Sequence, residues 1–118
     1  MQNFRNLLVW QKAHQLALLT YRLTADFPRE ETFGLRNSLR RISVDIPSNI
    51  AEGSCRPSDK EFAGSLSTAL GYANRLEYHA LLSRDLNFFR AEVHAEYELA
   101  VVEVEKMLNK LIGQLGVR

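Results

Sequence analysis

The chain has 118 residues, 46% of them hydrophobic and 25% charged, with a formal net charge of +1. That length suits one domain with a single core, and the near-neutral balance excludes the bulk cationic character of a general polyanion binder. The lone cysteine, Cys55, excludes an intrachain disulfide and suits a reducing cytosol; without an apolar leader or a run of about 18 apolar residues, the expectation is a soluble cytoplasmic protein with no membrane partner.

Taken in order, Asn6 is the predicted N-cap of a first helix reaching about Asp26. Val9, Ala13, Leu16, Thr20, Leu23 and Phe27 alternate spacings of four and three and make its inward seam. Leu7, Leu8, Trp10, Ala17, Leu18, Leu19 and Tyr21 widen the apolar surface beyond the stripe of roughly 100° that a surface helix needs. The surplus predicts burial against a second chain, with Leu7, Leu8, Trp10 and Tyr21 as candidate contacts. Phe27-Pro28 ends the helix, and residues 29–34 make the crossing.

Residues 35–53, LRNSLRRISVDIPSNIAEG, carry the densest constraints in the chain. Leu35, Leu39, Ile42, Ile46, Asn49 and Gly53 form an a/d seam, with Arg36, Arg40 and Arg41 largely off it. Asn49 therefore offers an amide to the interior, where lacking a partner costs about 1–3 kcal/mol. Pro47 removes a backbone donor and clashes with the preceding turn, at a cost of about 3 kcal/mol. A break there would make Ile46 an N-cap, a poor choice, so the helix is predicted to run on with a kink at Pro47. Gly53 reads as a C′ residue able to take a positive φ.

Ser58-Asp59-Lys60-Glu61 reads as a capping box opening the third helix. Phe62, Leu66, Ala69, Leu70, Ala73, Leu76, Ala80 and Leu81 continue its inward face, and Ala63, Gly64, Ser65, Gly71 and Ala73 predict close approach of a neighbouring backbone. Asn87 is placed to stop this helix in the left-handed conformation, with Phe88 and Phe89 plugging the turn. The fourth helix runs from about Arg90 to Leu115, with Val93, Tyr97, Ala100, Val101, Val104, Leu108, Leu111 and Leu115 inward, and residues 116–118 form a short tail. A cation at its start is unfavourable by a few tenths of a kcal/mol, roughly, against the helix dipole, so fraying is expected at Arg90. The fold expectation is all-α: residues 1–118 as one up-and-down antiparallel four-helix bundle.

The run Arg40 to Gly53, R-R-x-x-V-x-I-P-S-N-I-A-E-G, resembles the signature of the 23S rRNA intervening-sequence protein family. Phe4 to Ala13, Phe27 to Leu35 and Ala69 to Tyr78 are similar to the family's other landmarks, in the same order. The resemblance implies a four-helix bundle assembled as a homopentameric ring around a central channel. It also implies, as the alternative role, an accessory that binds RNA or DNA. Arg90 and Asp45 depart from the family pattern, and Asp45 weakens a phosphate-binding reading of the second helix.

No catalytic constellation stands out, and the protein is expected not to be an enzyme and to need no cofactor. His14, His79 and His94 fall on three different helices and read as surface or cap residues; none is read as having a helical partner suited to a metal. Cys55, without a base partner, reads as an incidental thiol. Glu52 and Glu77 lie in family-like motifs and, with Pro47, Asn49 and Gly53, are assigned structural roles. Glu77 is expected to pair with Arg40, Arg41 or Asn49 and fix helix register. Residues 35–60 hold five basic residues (Arg36, Arg40, Arg41, Arg56 and Lys60) against three acidic ones. Repeated around a ring, these five are the candidate nucleic-acid contacts.

Overall fold

Apolar positions at helical spacing, divided by three short polar links, favour consecutive helices packed antiparallel. A computed structural model of the protein, which describes residues 3–116, has this architecture. Helix α1 spans Leu8–Leu23, α2 Leu35–Gly53, α3 Asp59–Asp85 and α4 Ala91–Gln114. Single 3-10 turns precede α1 (Phe4–Asn6) and α2 (Arg29–Glu31). Helices α1 and α3 each pack on both α2 and α4, and the diagonal pairs stay apart. The 27 residues of α3, at about 1.5 Å each, run nearly the full 44 Å length of the bundle. Of the expected tail, residues 117–118 lie outside the described residues.

The inward seams become the core. Leu39, Ile46, Ile50, Leu66, Leu76, Val101, Val104 and Leu108 are fully buried. Thr20 and Tyr97, from α1 and α4, are buried with them, their hydroxyl oxygens 2.6 Å apart. Thr20 Oγ1 donates to the Leu16 carbonyl at 2.7 Å, so the Tyr97 hydroxyl must be the donor between the two. Burial raises the Tyr97 pKa, the Thr20 hydrogen bond opposing only in part. The pair stays neutral and joins α1 to α4 in the interior.

The start of α1 departs from expectation. Asn6 is not the cap: Leu7 holds that position with no side-chain hydrogen bond, and Asn6 belongs to a 3-10 turn capped by the Asn3 side chain, which accepts from Arg5 N at 3.1 Å. The helix also ends at Leu23, short of Asp26. Thr24 folds its hydroxyl back onto the Thr20 carbonyl at 2.8 Å, and the chain turns there while Phe27 still reaches the core.

Helix α2 is continuous through Pro47. The two residues after the proline reach back one turn, Ser48 Oγ donating to Val44 O at 2.7 Å and Asn49 Nδ2 to Asp45 O at 2.8 Å. The Asn49 amide is thus half-buried and satisfied locally, not by another helix as its seam position suggests. Gly53 lies inside the helix, and the only described residues with positive φ are Asn87 and Gly116. What position 53 requires is space: a Cβ there would fall 2.5 Å from Ser65 Cβ and 3.1 Å from Phe62 Cδ1. The close helix approach expected from small residues is therefore real at Ser65. It is absent at Gly64 and Gly71, where a Cβ would meet nothing within 4 Å in this chain.

Ser58 caps α3 as expected, accepting from Glu61 N at 3.2 Å and donating to the Glu61 carboxylate at 3.1 Å. The far end closes as a Schellman motif, with Phe88 N donating to Ser83 O at 2.8 Å and Asn87 N to Arg84 O at 2.9 Å. Asn87 takes the left-handed φ of 65° that this requires. Phe89 then packs edge-on against Phe27, ring centroids 4.9 Å apart, and lies 5.7 Å from Tyr97. Arg90 is the N-cap of α4 and supplies no side-chain capping bond.

Candidate functional site

The apolar surplus of α1 resolves into two grooves on either side of that helix. Between α1 and α2 lies one of about 560 Å³, walled by Trp10, Ala17, Leu18 and Tyr21 on one side and Val44, Pro47 and Ala51 on the other. Trp10 is fixed between Phe4, edge-on at 4.9 Å, and His14, stacked at 5.0 Å and 6°. Between α1 and α4 lies one of about 460 Å³, lined by Leu7, Leu8, Met107 and Leu111 and crossed by the Lys12–Glu103 ion pair at 3.6 Å. The four candidate contacts thus divide: Trp10 and Tyr21 line the first groove, Leu7 and Leu8 the second. Leu8 is 61% and Tyr21 46% exposed, while Leu7 and Trp10 are half-buried. Phe33 (91%) and Leu99 (74%) are further exposed apolar side chains. Their helical or loop position off every seam was the available signal.

Within one chain the five basic candidates divide by what they touch. Arg36 donates from Nε to the Thr24 carbonyl at 3.1 Å and from Nη2 to the Phe27 carbonyl. Arg40 donates to Thr24 Oγ1 at 2.9 Å and Tyr21 O at 3.1 Å, its guanidinium 4.6 Å over the Tyr21 ring. Both therefore bind the end of α1, whose last carbonyls have no helical partner. Arg56 pairs with Glu52 at 2.8 Å, one turn apart on an exposed surface, so the structural role of Glu52 is local. Arg41 and Lys60 are exposed and, among the described residues, make no side-chain hydrogen bond or ion pair. Of the five, these two have side-chain donors not engaged within the described residues.

Arg41 lines a cleft between α2 and α3, of about 240 Å³, which it shares with Ser38, Ile42, Asp45, Tyr72, Arg75 and His79. Arg75 is not singled out among the sequence candidates, and His79, expected as a surface or cap residue, is half-buried here. The signal was there: Tyr72, Arg75 and His79 fall three and four apart on α3, facing Ser38, Arg41 and Asp45 at the same spacing on α2.

Among the described residues Glu77 forms no ion pair, and within one chain the expected pairing with Arg40, Arg41 or Asn49 is not made. Arg40 is engaged by α1, and Glu77 instead meets Glu105 across the α3–α4 seam. Burial pushes the Glu105 carboxyl up to about 7, and hydrogen bonding to Glu77, its charge and that of Glu98 act in the same direction. One Glu105 oxygen, Oε2, is buried without a hydrogen-bond partner. A proton shared by the two carboxyls at neutral pH relieves the repulsion.

His94 is not a surface residue: it is 4% exposed, and Nε2 lies 4.0 Å from Glu98, one turn on. It thus has the helical carboxylate neighbour that the sequence reading denied it. His14 is exposed on Trp10, and His79 is half-buried. Among the described residues no three His, Cys, Asp or Glu side chains are grouped to hold a metal ion, and no helix is long and apolar enough to cross a membrane. Cys55 is exposed in the turn between α2 and α3.

The sequence model of a family described as "23S rRNA-intervening sequence protein" matches residues 5–110. A solved structure from Bacteroides thetaiotaomicron VPI-5482, described as a protein with unknown function from the S23 ribosomal protein family, superposes with a TM-score of 0.80. It is 23% identical over 89% of this chain and 98% of its own, a likeness of fold. No curated protein matches.

Proposed function

The chain belongs to the 23S rRNA-intervening sequence protein family, and from that premise we propose that it is a non-enzymatic cytoplasmic module that assembles with itself into a closed ring, a homopentamer. The observation that carries this reading is the pair of apolar grooves flanking α1, whose walls include the half-exposed Tyr21 and Leu18 and the mostly exposed Leu8. A monomer leaves such surface in water, at about 25 cal/mol for each Å² that could be buried. Two distinct faces on one chain suit head-to-tail contact, in which one face meets a different face of the next copy and the rotation closes. The number five comes from the family resemblance. Light scattering on a sizing column tests assembly: a mass near five times 13.5 kDa is expected, and a clean monomer at micromolar concentration overturns the reading.

A second reading, an RNA- or DNA-binding accessory, is favoured by Arg41 and Lys60, which keep unpaired cations at the surface. Repeated around a ring, they would contact phosphates with steep salt dependence. Gel shifts with structured RNA and duplex DNA at low and moderate salt test it. Absence of retardation at low salt removes it.

A further inference from the structure

The α2–α3 cleft is small, polar and electrostatically unfinished. Arg41 and Arg75 both line it, and among the described residues neither finds a hydrogen-bond acceptor or a carboxylate partner; the Arg75 guanidinium lies over the Tyr72 ring, 5.4 Å from its centroid. Asp45 lines the same cleft but forms no ion pair with either, so two cations face one anion. Ser38 and Tyr72 add hydroxyls, and the His79 Nδ1 is buried without a hydrogen-bond partner.

We infer that this cleft binds a phosphoryl anion, gripped by the Arg41 and Arg75 guanidiniums from opposite walls and completed by hydrogen bonds from Ser38, Tyr72 and His79. The chemistry selects the ligand class. Guanidiniums match the oxygens of phosphate in forked geometry, and all three neutral groups can donate to an acceptor-rich anion. At about 240 Å³ the cleft is below the roughly 300–1,000 Å³ of sites for larger ligands, which favours a compact group over a whole nucleobase. Asp45 repels a dianion and sets a modest affinity. Burial, and then the neighbouring Arg75 charge, hold the His79 pKa below its usual value in the empty cleft. A bound anion offsets the Arg75 and Arg41 charges facing the ring, so binding raises that pKa and tightens as pH falls.

The inference is independent of the assembly reading and is tested on the full chain at fixed ionic strength. Inorganic phosphate is titrated while the His79 ring is followed by NMR. A saturable His79 shift is expected, with an upward move of its titration midpoint. Arg41→Gln and Arg75→Gln, both at exposed positions that leave the core intact, should each weaken binding by about tenfold. Arg84→Gln, whose side chain is tied to Asp85 at 3.0 Å, should leave it unchanged. If a short single-stranded oligonucleotide moves His79 the same way and competes, the phosphoryl group is that of a nucleic-acid backbone; if phosphate alone acts, it is a free anion. A shift reproduced by chloride, a His79 signal unmoved by either probe, or wild-type binding in both arginine variants overturns the proposal.

Discussion

The two long-way turns of the bundle solve one problem by opposite means. Between α3 and α4 the chain closes itself: the Asn87 backbone takes the left-handed conformation and three main-chain bonds return to Ser83 and Arg84. Between α1 and α2 the main chain closes only in part, Phe27 N donating to Thr24 O at 3.1 Å, and the Arg36 side chain from α2 donates to both the Thr24 and Phe27 carbonyls, with Arg40 reaching Tyr21 and Thr24. The first closure is local and needs one suitable residue. The second is tertiary and uses two cations that a charge count assigns to a ligand. Net basicity in a stretch of sequence therefore overstates what is available to a phosphate, because carbonyls at a helix end compete for the same guanidiniums.

The contrast can be broken at its aromatic plug. Phe89 fills the space between Phe27 and Tyr97, so Phe89→Ala should cost about 3–5 kcal/mol, read by urea denaturation. Arg36→Met keeps much of the side-chain volume but removes the donor to the Phe27 carbonyl. It should cost about 1.5–3 kcal/mol and speed amide exchange around Thr24 more than around Asn87. Asn87→Ala should cost about 1–2 kcal/mol, and Asn87→Gly close to nothing, since only the positive φ is at stake. Equal losses for Ala and Gly would show that the Asn side chain, not its backbone, closes that turn.

The smallest effect concerns the seam below that turn. Glu105, raised to about 7 from an ordinary 4.5, holds its proton more tightly folded than unfolded. Stability then falls as pH rises from about 4.5 through about 7. Glu105→Gln should remove that slope and raise the melting temperature on the alkaline side. An unchanged pH profile would mean the two carboxyls do not share a proton.

Features set by neighbours in sequence were legible beforehand. The seams of all four helices, the Ser58 cap, the stop at Asn87 and passage through Pro47 each follow from local spacing or local chemistry. What escaped depends on which helix lies opposite. Gly53 reads as a helix end because glycine often is one, yet it is retained by Ser65 on α3, twelve residues away. Glu77 reads as an ion-pair partner, but the facing residue is another carboxylate. His94 falls beside Val93 and looks peripheral until α4 is rotated into place, where it is buried. For the candidate sites, the excess apolar surface of α1 was visible, and its division into two grooves was not, because that requires knowing that α2 and α4 flank the helix.

One unremarked convenience follows from the solitary thiol. Cys55 is solvent-accessible and lines neither groove beside α1, so a maleimide dye can be attached to the native sequence at one point per copy. Single-particle photobleaching of such a preparation would count protomers as discrete intensity steps, without crosslinking and without altering any residue.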